Sequence, residues 1–198
     1  MVFEPTAIDG VRHIRLAPMA DERGSFARTW CRETFAAHGG PGLDAAMVQT
    51  STSFNVRAGT LRGMHFAWPP ATECKLVRCT RGRVFDQLLD LRPESPTYRA
   101  TVSVELDATL GNALWIPRGV AHGFQTLVDD SEVFYMMTEV YRGDLGAGVR
   151  ADDPAFGLAW PLPVTAMSER DRDGPFFDEA AHRQRYGAGT AAGTQDAA

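Results

Sequence analysis

The sequence predicts an all-β fold, either a sandwich or a barrel, with a few short helices. Ten short stretches rich in β-branched and aromatic residues follow one another, separated by Gly, Pro and Asp. The separating segments, such as RPESP, TRGR, PRG and DDS, supply positive φ or the fixed φ of proline and therefore favour turns. Two further stretches have a helical pattern. Regularly spaced short strands with so few helices are typical of packed or closed antiparallel sheets.

The predicted elements follow one another within a single domain over residues 1–180, because no linker divides it. The expected helices are Cys31–His38 and Glu179–Tyr186. Residues 181–198 form a tail, and its last dozen residues, GAGTAAGTQDAA, are expected to be disordered because they lack apolar periodicity. The expected strands are Val11–Leu16, Met47–Phe54, Thr60–Phe66, Cys74–Thr80, Val84–Leu91, Ala100–Leu106, Ala113–Ile116, Gly123–Leu127, Glu132–Tyr141 and Gly148–Arg150.

Composition and charge narrow the class of protein. The net charge is −5, from 20 basic and 25 acidic residues, which argues against a nucleic-acid or anionic-membrane partner. No apolar run has the length of a membrane span and no signal peptide begins the sequence, so the cytoplasm is expected. The cysteines, Cys31, Cys74 and Cys79, match no zinc spacing. They are expected to be small, partly buried side chains in a reducing compartment.

Lys75 is the only lysine among twenty basic residues. Arginine presents a planar fork of donors, whereas lysine is a compact charge with rotatable donors. A lone lysine in such a chain therefore indicates a site where a guanidinium does not suit, although compositional drift alone would explain it equally well. Its position in a predicted strand, ten residues after His65, makes it a candidate for chemistry.

Two segments resemble the two sequence motifs of the cupin superfamily. The first is GTLRGMHF, with five residues between Gly59 and His65. The second is GNALWIPRGVAHGF, in which Gly111, Pro117, Gly119 and His122 have the spacing of the second motif. The resemblance implies a jelly-roll β-barrel.

A metal site is not expected, even though many cupins bind one. A metal-binding cupin offers His-x-His, a following Glu and the second-motif His, but here Ala67 stands two residues after His65. Two histidines without a sure carboxylate are too few for a stable catalytic metal. We therefore expect no cofactor, and the histidines are free for acid–base chemistry or serve a structural purpose.

Strand periodicity suggests which side chains meet inside the barrel. Lys75 shares a face with Val77 and Cys79, and Tyr135 shares one with Val133, Met137 and Tyr141. Asp86 lies on a mostly apolar stripe and needs a partner if buried; an ion pair with Lys75 and a catalytic role are both open. His65, Lys75, Tyr135 and a carboxylate together suit proton abstraction next to a carbonyl.

Over residues 1–178 the sequence resembles the dTDP-4-dehydrorhamnose 3,5-epimerase family, a cupin family that works without metal. The resemblance extends through an ordered series of strings. They are DERGSF, VQTSTS, LRGMHF, ECKLVRCTRGRVFDQLLDLRPESPTY, LWIPRGVAHGF, FYMMTEVY, DDP, AWP and SERD. It implies a homodimer that exchanges N-terminal strands, and a nucleotide-diphosphate 4-keto sugar, dTDP-linked, as the substrate.

The resemblance also implies a role for individual residues. His65 would be the base, oriented by Asp171; Tyr135 would return a proton from the other face, and Lys75 would stabilise the enolate oxygen. The implied substrate-binding residues are Arg62 and His122 at the substrate and its diphosphate, Tyr141 near the nucleotide, Gln49 in the sugar-nucleotide pocket, and Arg23 with Phe26 holding the nucleotide across the dimer interface.

The implied reaction inverts carbon 3, carbon 5 or both, a choice that depends on pocket shape. Arg28 stands where the family has Glu, and Ser51 where it often has Asn, which leaves the identity of the nucleotide open. The alternatives are a sugar-nucleotide 3,4-ketoisomerase, a non-catalytic sugar-nucleotide-binding cupin and a metal cupin. Tyr135 and SERD favour the epimerase over the ketoisomerase, and the joint presence of the acid–base residues argues against a binding module.

Overall fold

The computed structural model describes residues 1–195 as a strand-rich chain with three helices in that range. The helices are α1 (Arg32–His38), α2 (Glu169–Arg172) and α3 (Glu179–Gln195). The strands are β1 (Val2–Pro5), β2 (Arg12–Arg15), β3 (Met19–Asp21), β4 (Gly24–Phe26), β5 (Gln49–Asn55), β6 (Leu61–Ala67), β7 (Lys75–Arg81), β8 (Arg83–Asp90), β9 (Thr101–Asp107), β10 (Ala113–Ile116), β11 (Val120–Thr126), β12 (Ser131–Met137) and β13 (Gly146–Gly148).

Two antiparallel sheets pack against each other. One has the strand order β1-β2-β10-β7-β12-β5, and the other has the order β13-β6-β11-β8-β9. Their inner faces contribute alternate apolar side chains to a shared core, as expected for a sandwich. From the first sheet come Val77, Cys79, Leu114, Ile116 and Val133, and from the second Val84, Leu88, Leu106, Val120 and Phe124. The prediction of an all-β fold is confirmed.

The outer faces of both sheets are covered in part. Helix α1 contributes Phe35 to a cluster that includes Trp115 on the outer face of the first sheet. The long segment after β13 covers the second sheet, where Phe156, Trp160 and Phe177 pack near buried residues of β6 and β8. Strands that are buried on both faces, such as β10 and β11, are held rigidly, and a site built on them is well fixed.

Several elements differ from the prediction. Strands β1, β3 and β4 and helix α2 were not expected, since each has only three or four residues and too little sequence to show a period. The strand predicted to reach Tyr141 ends at Met137. Beyond it the Thr138 backbone N–H still donates to the Cys74 carbonyl at 3.1 Å, but the Cys74 N–H donates to the Thr138 hydroxyl at 2.9 Å, so the ladder of backbone hydrogen bonds ends here. Tyr141 therefore does not continue the face of Tyr135.

The C-terminal helix extends beyond the predicted one. It continues to Gln195, into the dozen residues that were expected from the sequence to be disordered, and residues 196–198 lie outside the described residues. His182 and Tyr186 are buried and anchor the helix, and Gly189 packs directly on the carbonyl oxygen of Pro69. Small side chains permit this approach, which a search for apolar periodicity does not detect. Neither α3 nor another helix within residues 1–195 is long and apolar enough to cross a membrane.

Candidate active site

A cavity of about 510 Å³ is enclosed by inner-face residues of both sheets and by the connections that follow β12 and β13. Six of the residues predicted to act on the substrate line it: Gln49, His65, Lys75, His122, Tyr135 and Tyr141. The remaining lining residues are Ser51, Phe66, Ala67, Ala71, Glu73, Met137, Glu139, Val140, Arg142, Gly146, Ala147 and Arg170. Titratable groups from both sheets therefore converge on one space.

His65 and Asp171 form a hydrogen-bonded pair. His65 lies on β6, and its Nε2 is 2.7 Å from Oδ1 of Asp171 on α2. The other carboxylate oxygen accepts the backbone N–H of Gly63 at 3.3 Å, and Ser168 caps the helix by accepting the Asp171 N–H at 3.1 Å. Burial alone would raise the pKa of Asp171, but the hydrogen bonds from His65 and Gly63 outweigh it and hold that pKa below its usual value. An ionised carboxylate thus orients an imidazole at the cavity wall.

Tyr135 lies on β12, in the opposite sheet from His65. Burial, together with the nearby charge of Asp86, raises the pKa of Tyr135 well above its usual value, and the guanidinium of Arg62 opposes this only in part. The phenol therefore keeps its proton at neutral pH. A group that can accept a proton and a group that can donate one line the same cavity on different sheets.

His122 forms a second pair, with Asp86. The two residues lie on adjacent strands, β11 and β8, with Nε2 2.8 Å from Oδ2, and both side chains are buried. Burial raises the pKa of Asp86, and the attraction of His122 opposes this rise. The rings of Tyr135 and His122 pack in an edge-to-face arrangement, with 6.0 Å between their centroids.

The predicted ion pair between Asp86 and Lys75 is not present. Strand parity placed both side chains inside the sandwich, but a face does not determine a partner, and the sheet order puts β11 beside β8. Lys75 instead pairs with Glu73, with Nζ 3.0 Å from Oε1. Glu73 was not singled out in the sequence, although it has the same parity as Lys75, and that signal could have identified it.

Gln49 and Tyr141 both line the cavity. They also contact each other, because the Gln49 Oε1 accepts a hydrogen bond from the backbone N–H of Tyr141 at 3.0 Å. Arg62 does not line it. Its Nε donates to the Asn55 side chain at 2.7 Å, and it borders an adjoining groove that shares His65 and Arg170 with the cavity and is also lined by Asp171. Its predicted contact with the diphosphate stays a prediction.

Arg23 and Phe26 lie away from the cavity. They belong to the exposed β3–β4 hairpin, where Arg23 pairs with Asp21 and Phe26 is 71 % exposed. The role predicted for them requires a second chain, so it stays a prediction.

Further charged residues at the cavity were missed in the sequence. Glu139 accepts the backbone N–H and the hydroxyl of Thr72 at 2.6 and 3.1 Å. Arg142 and Arg170 come from the segment after β12 and from α2. A loop brings in Glu139 and Arg142 and a four-residue helix brings in Arg170, and strand periodicity predicts the position of neither. Within residues 1–195 no group of three or more His, Cys, Asp or Glu residues is arranged to hold a metal ion.

Comparisons with known proteins agree with one another. A family model described as dTDP-4-dehydrorhamnose 3,5-epimerase matches residues 5–179. A dTDP-4-dehydrorhamnose 3,5-epimerase from Sinorhizobium fredii is 40% identical over 184 residues, which cover 90% of this chain and 91% of the relative.

Solved structures extend the likeness to the fold, including the jelly roll. The dTDP-6-deoxy-D-glucose-3,5-epimerase from Legionella pneumophila, in complex with dTDP-4-keto-L-rhamnose, is 31% identical with a TM-score of 0.79, covering 86% of this chain and 89% of its own. ChmJ, a 3'-monoepimerase from Streptomyces bikiniensis in complex with dTDP-quinovose, is 28% identical with a TM-score of 0.82, covering 97% and 95%.

Proposed function

Because the chain belongs to the dTDP-4-dehydrorhamnose 3,5-epimerase family, we propose that it epimerises a nucleotide-diphospho-4-keto-6-deoxyhexose. The reaction inverts carbon 3, carbon 5 or both. The observation that supports this function most directly is the pairing across one cavity of the His65–Asp171 dyad on one side with Tyr135 on the other. An epimerase needs a base on one face of the substrate carbon and an acid on the opposite face.

The chemistry begins with the keto group, which acidifies the hydrogens on the two neighbouring carbons. The neutral imidazole of His65 removes one of them, and Asp171 stabilises the imidazolium that forms. The electron pair moves onto the keto oxygen and gives an enolate. Lys75 has the only ammonium side chain in the sequence and lines the cavity, so it is the group suited to stabilise that oxygen.

Reprotonation completes the inversion. The Tyr135 phenol, kept protonated by its buried setting, delivers a proton to the opposite face of the carbon. To complete the cycle, the His65 imidazolium, whose side chain is 44 % exposed, releases the proton taken from the substrate to water, and the Tyr135 phenolate takes a proton back from the solvent. The solvent therefore supplies the new hydrogen over a full cycle, and the reaction can be followed in heavy water.

The substrate is proposed to be a dTDP-linked sugar, as in the complexes of the similar enzymes. Gln49 and Tyr141 would contact the sugar nucleotide, and Arg62 and His122 the substrate and its diphosphate. Ser51, which departs from the family pattern, lies on the cavity wall, where it can influence the choice of nucleotide. Arg23 and Phe26 would reach the nucleotide of a partner chain in a homodimer, consistent with their exposure on the hairpin.

The test is incubation with dTDP-4-keto-6-deoxyglucose in heavy water followed by NMR. Deuterium incorporation at carbon 3, carbon 5 or both, with inversion, is the expected result and identifies the regiochemistry. No exchange with this sugar, with UDP- and GDP-linked analogues tested in parallel, would contradict the proposed function.

A further inference from the structure

Glu73 lies beside the proposed enolate-stabilising lysine and has no role in the mechanism above. Its Oε1 is 3.0 Å from Nζ of Lys75, and both residues line the cavity. The two side chains are only 14 % and 18 % exposed, so the pair differs from a solvated surface ion pair, which contributes little. A mostly buried pair loses much of its hydration, and removing one member leaves the other poorly compensated.

The ion pair with Glu73 restrains the flexible side chain of Lys75. Lysine has four rotatable bonds and an ammonium with three donors, and it gains directionality only from its partners. One donor directed to Glu73 leaves two for oxygens of the substrate. A group preorganised in this way stabilises developing charge without reorganising during the reaction.

We propose that Glu73 is a positioning residue for Lys75, which keeps the ammonium directed at the 4-keto oxygen of the substrate. This inference rests on the proposed function. It assigns to Glu73 an effect on turnover and no favourable contribution to substrate binding, because the carboxylate contacts Lys75 and would repel the diphosphate of the substrate.

Positioning of Lys75 and a purely electrostatic effect of Glu73 have different consequences for catalysis. If Glu73 contributed only its charge to the cavity, its removal would strengthen binding of the anionic substrate and leave turnover unchanged. The other titratable or charged groups that line the cavity remain in place in either case: His65 from β6, His122 from β11, Tyr135 from β12, Glu139, Tyr141 and Arg142 from the segment after β12, and Arg170 from α2.

Two substitutions test the charge of Glu73 and the length of its side chain separately. E73Q keeps the length and removes the charge; we expect kcat to fall roughly 10- to 100-fold with KM changed less than about threefold. E73D keeps the charge but withdraws it from Lys75, so kcat should fall by a smaller factor, about three- to tenfold.

The control is E132Q. Glu132 lies on β12 outside the cavity, where it accepts a hydrogen bond from the Thr80 hydroxyl at 2.7 Å. This variant has the same change of charge and should retain the original kcat and KM. Unchanged kcat in E73Q would overturn the proposal, and so would a fall in kcat/KM caused by KM alone. If E73Q does not fold, as judged by thermal melting, unchanged kcat in E73D overturns the proposal.

The readout also distinguishes this inference from the proposed function. Deuterium exchange into dTDP-4-keto-6-deoxyglucose by the unmodified protein tests the function. Loss of turnover in E73Q against that working reference tests the positioning role. Exchange by the unmodified protein together with full activity in E73Q would overturn only the role of Glu73.

Discussion

Asp171 is almost completely buried, at 7 % exposure of its side chain, whereas its partner His65, 2.7 Å away, is 44 % exposed. The carboxylate is held by a second hydrogen bond from the backbone of Gly63, so its position is determined by the protein and not by the ligand. The imidazole is therefore fixed from the protein side and open on the cavity side. A base oriented in this way has one productive direction, towards the bound sugar.

Replacing Asp171 by Asn should remove the negative charge that stabilises the His65 imidazolium and should allow the wrong tautomer. We expect D171N to lower kcat by a factor on the order of 10²–10⁴ with little change in the melting temperature. Steady-state kinetics by NMR measures the loss. D173N is the control, because Asp173 is exposed and pairs with Arg172. Equal activity of D171N and D173N would contradict the role of Asp171.

Replacing Lys75 by Arg keeps a positive charge but changes its shape. The longer planar guanidinium would crowd the sugar oxygen and could not keep the contact with Glu73 in the same place. K75R should therefore lose most of its turnover, by at least about 100-fold, while folding normally. The conservative change R81K, at the exposed end of the same strand, should leave turnover unchanged. Near-normal kcat in K75R would refute the assignment of Lys75.

Replacing Tyr135 by Phe should separate exchange from inversion. Y135F removes the acid but leaves His65, so the substrate carbon still exchanges its hydrogen for deuterium from the His65 face, and little inverted product forms. The observable is the ratio of deuterated substrate to epimer in heavy water. Y98F is a suitable control, because the buried Tyr98 hydroxyl has no hydrogen-bond partner among the described residues. Normal inversion by Y135F would remove Tyr135 from the mechanism.

Much of the fold could be predicted because alternation along a strand follows directly from the pleat. The buried pattern of β7 and β12 was readable in this way, and so was the inward direction of Lys75 and Tyr135. The three-residue strands of the β3–β4 hairpin were not, since three residues give no period. The continuation of the C-terminal helix beyond Tyr186 escaped detection for another reason: Gly189 packs against Pro69 because it lacks a side chain, which periodicity does not register.

The site, like the fold, could be predicted from the sequence only in part. The sequence, through its motifs and the family resemblance, gave His65, Asp171, Tyr135 and Lys75 as candidates, and their catalytic roles stay predictions. It could not give the partner of Asp86. A residue's face follows from its own strand, but the neighbouring strand follows from the order of the whole sheet, which pairs β8 with β11 and brings His122 to Asp86.

His182 makes the docking of α3 sensitive to pH. Burial lowers the pKa of His182, although its hydrogen bond to the Leu91 carbonyl, at 2.7 Å, acts in the opposite direction. The folded state then binds this proton less tightly than the unfolded state. Stability should therefore fall as pH drops below the ordinary histidine value of about 6.5, by at most about 1.4 kcal/mol per pH unit.

The check is a comparison of urea unfolding free energies at pH 7.5 and 5.5. H182Q cannot titrate, so its stability should depend less on pH than that of the unmodified chain. The exposed His38 provides the control, since H38Q should keep the original dependence. Identical pH dependence in H182Q and the unmodified chain would contradict this origin of the acid sensitivity.

Gly187 and Gly189 flank Ala188 in α3, and their substitution by alanine should have opposite effects. Nothing lies within 4 Å of a Cβ on Gly187, so G187A should stabilise the protein by roughly 0.5–1 kcal/mol through better helix propensity. A Cβ on Gly189 would overlap the carbonyl oxygen of Pro69, so G189A should lose roughly 1–3 kcal/mol of unfolding free energy through overpacking.

Pro69 lies between Ala67 and Ala71, which line the cavity. A displaced Pro69 should therefore also raise KM for the keto sugar in G189A and not in G187A. Chemical denaturation and substrate titration of the two variants measure both effects, and equal stabilities would show that the helix does not rest on Pro69.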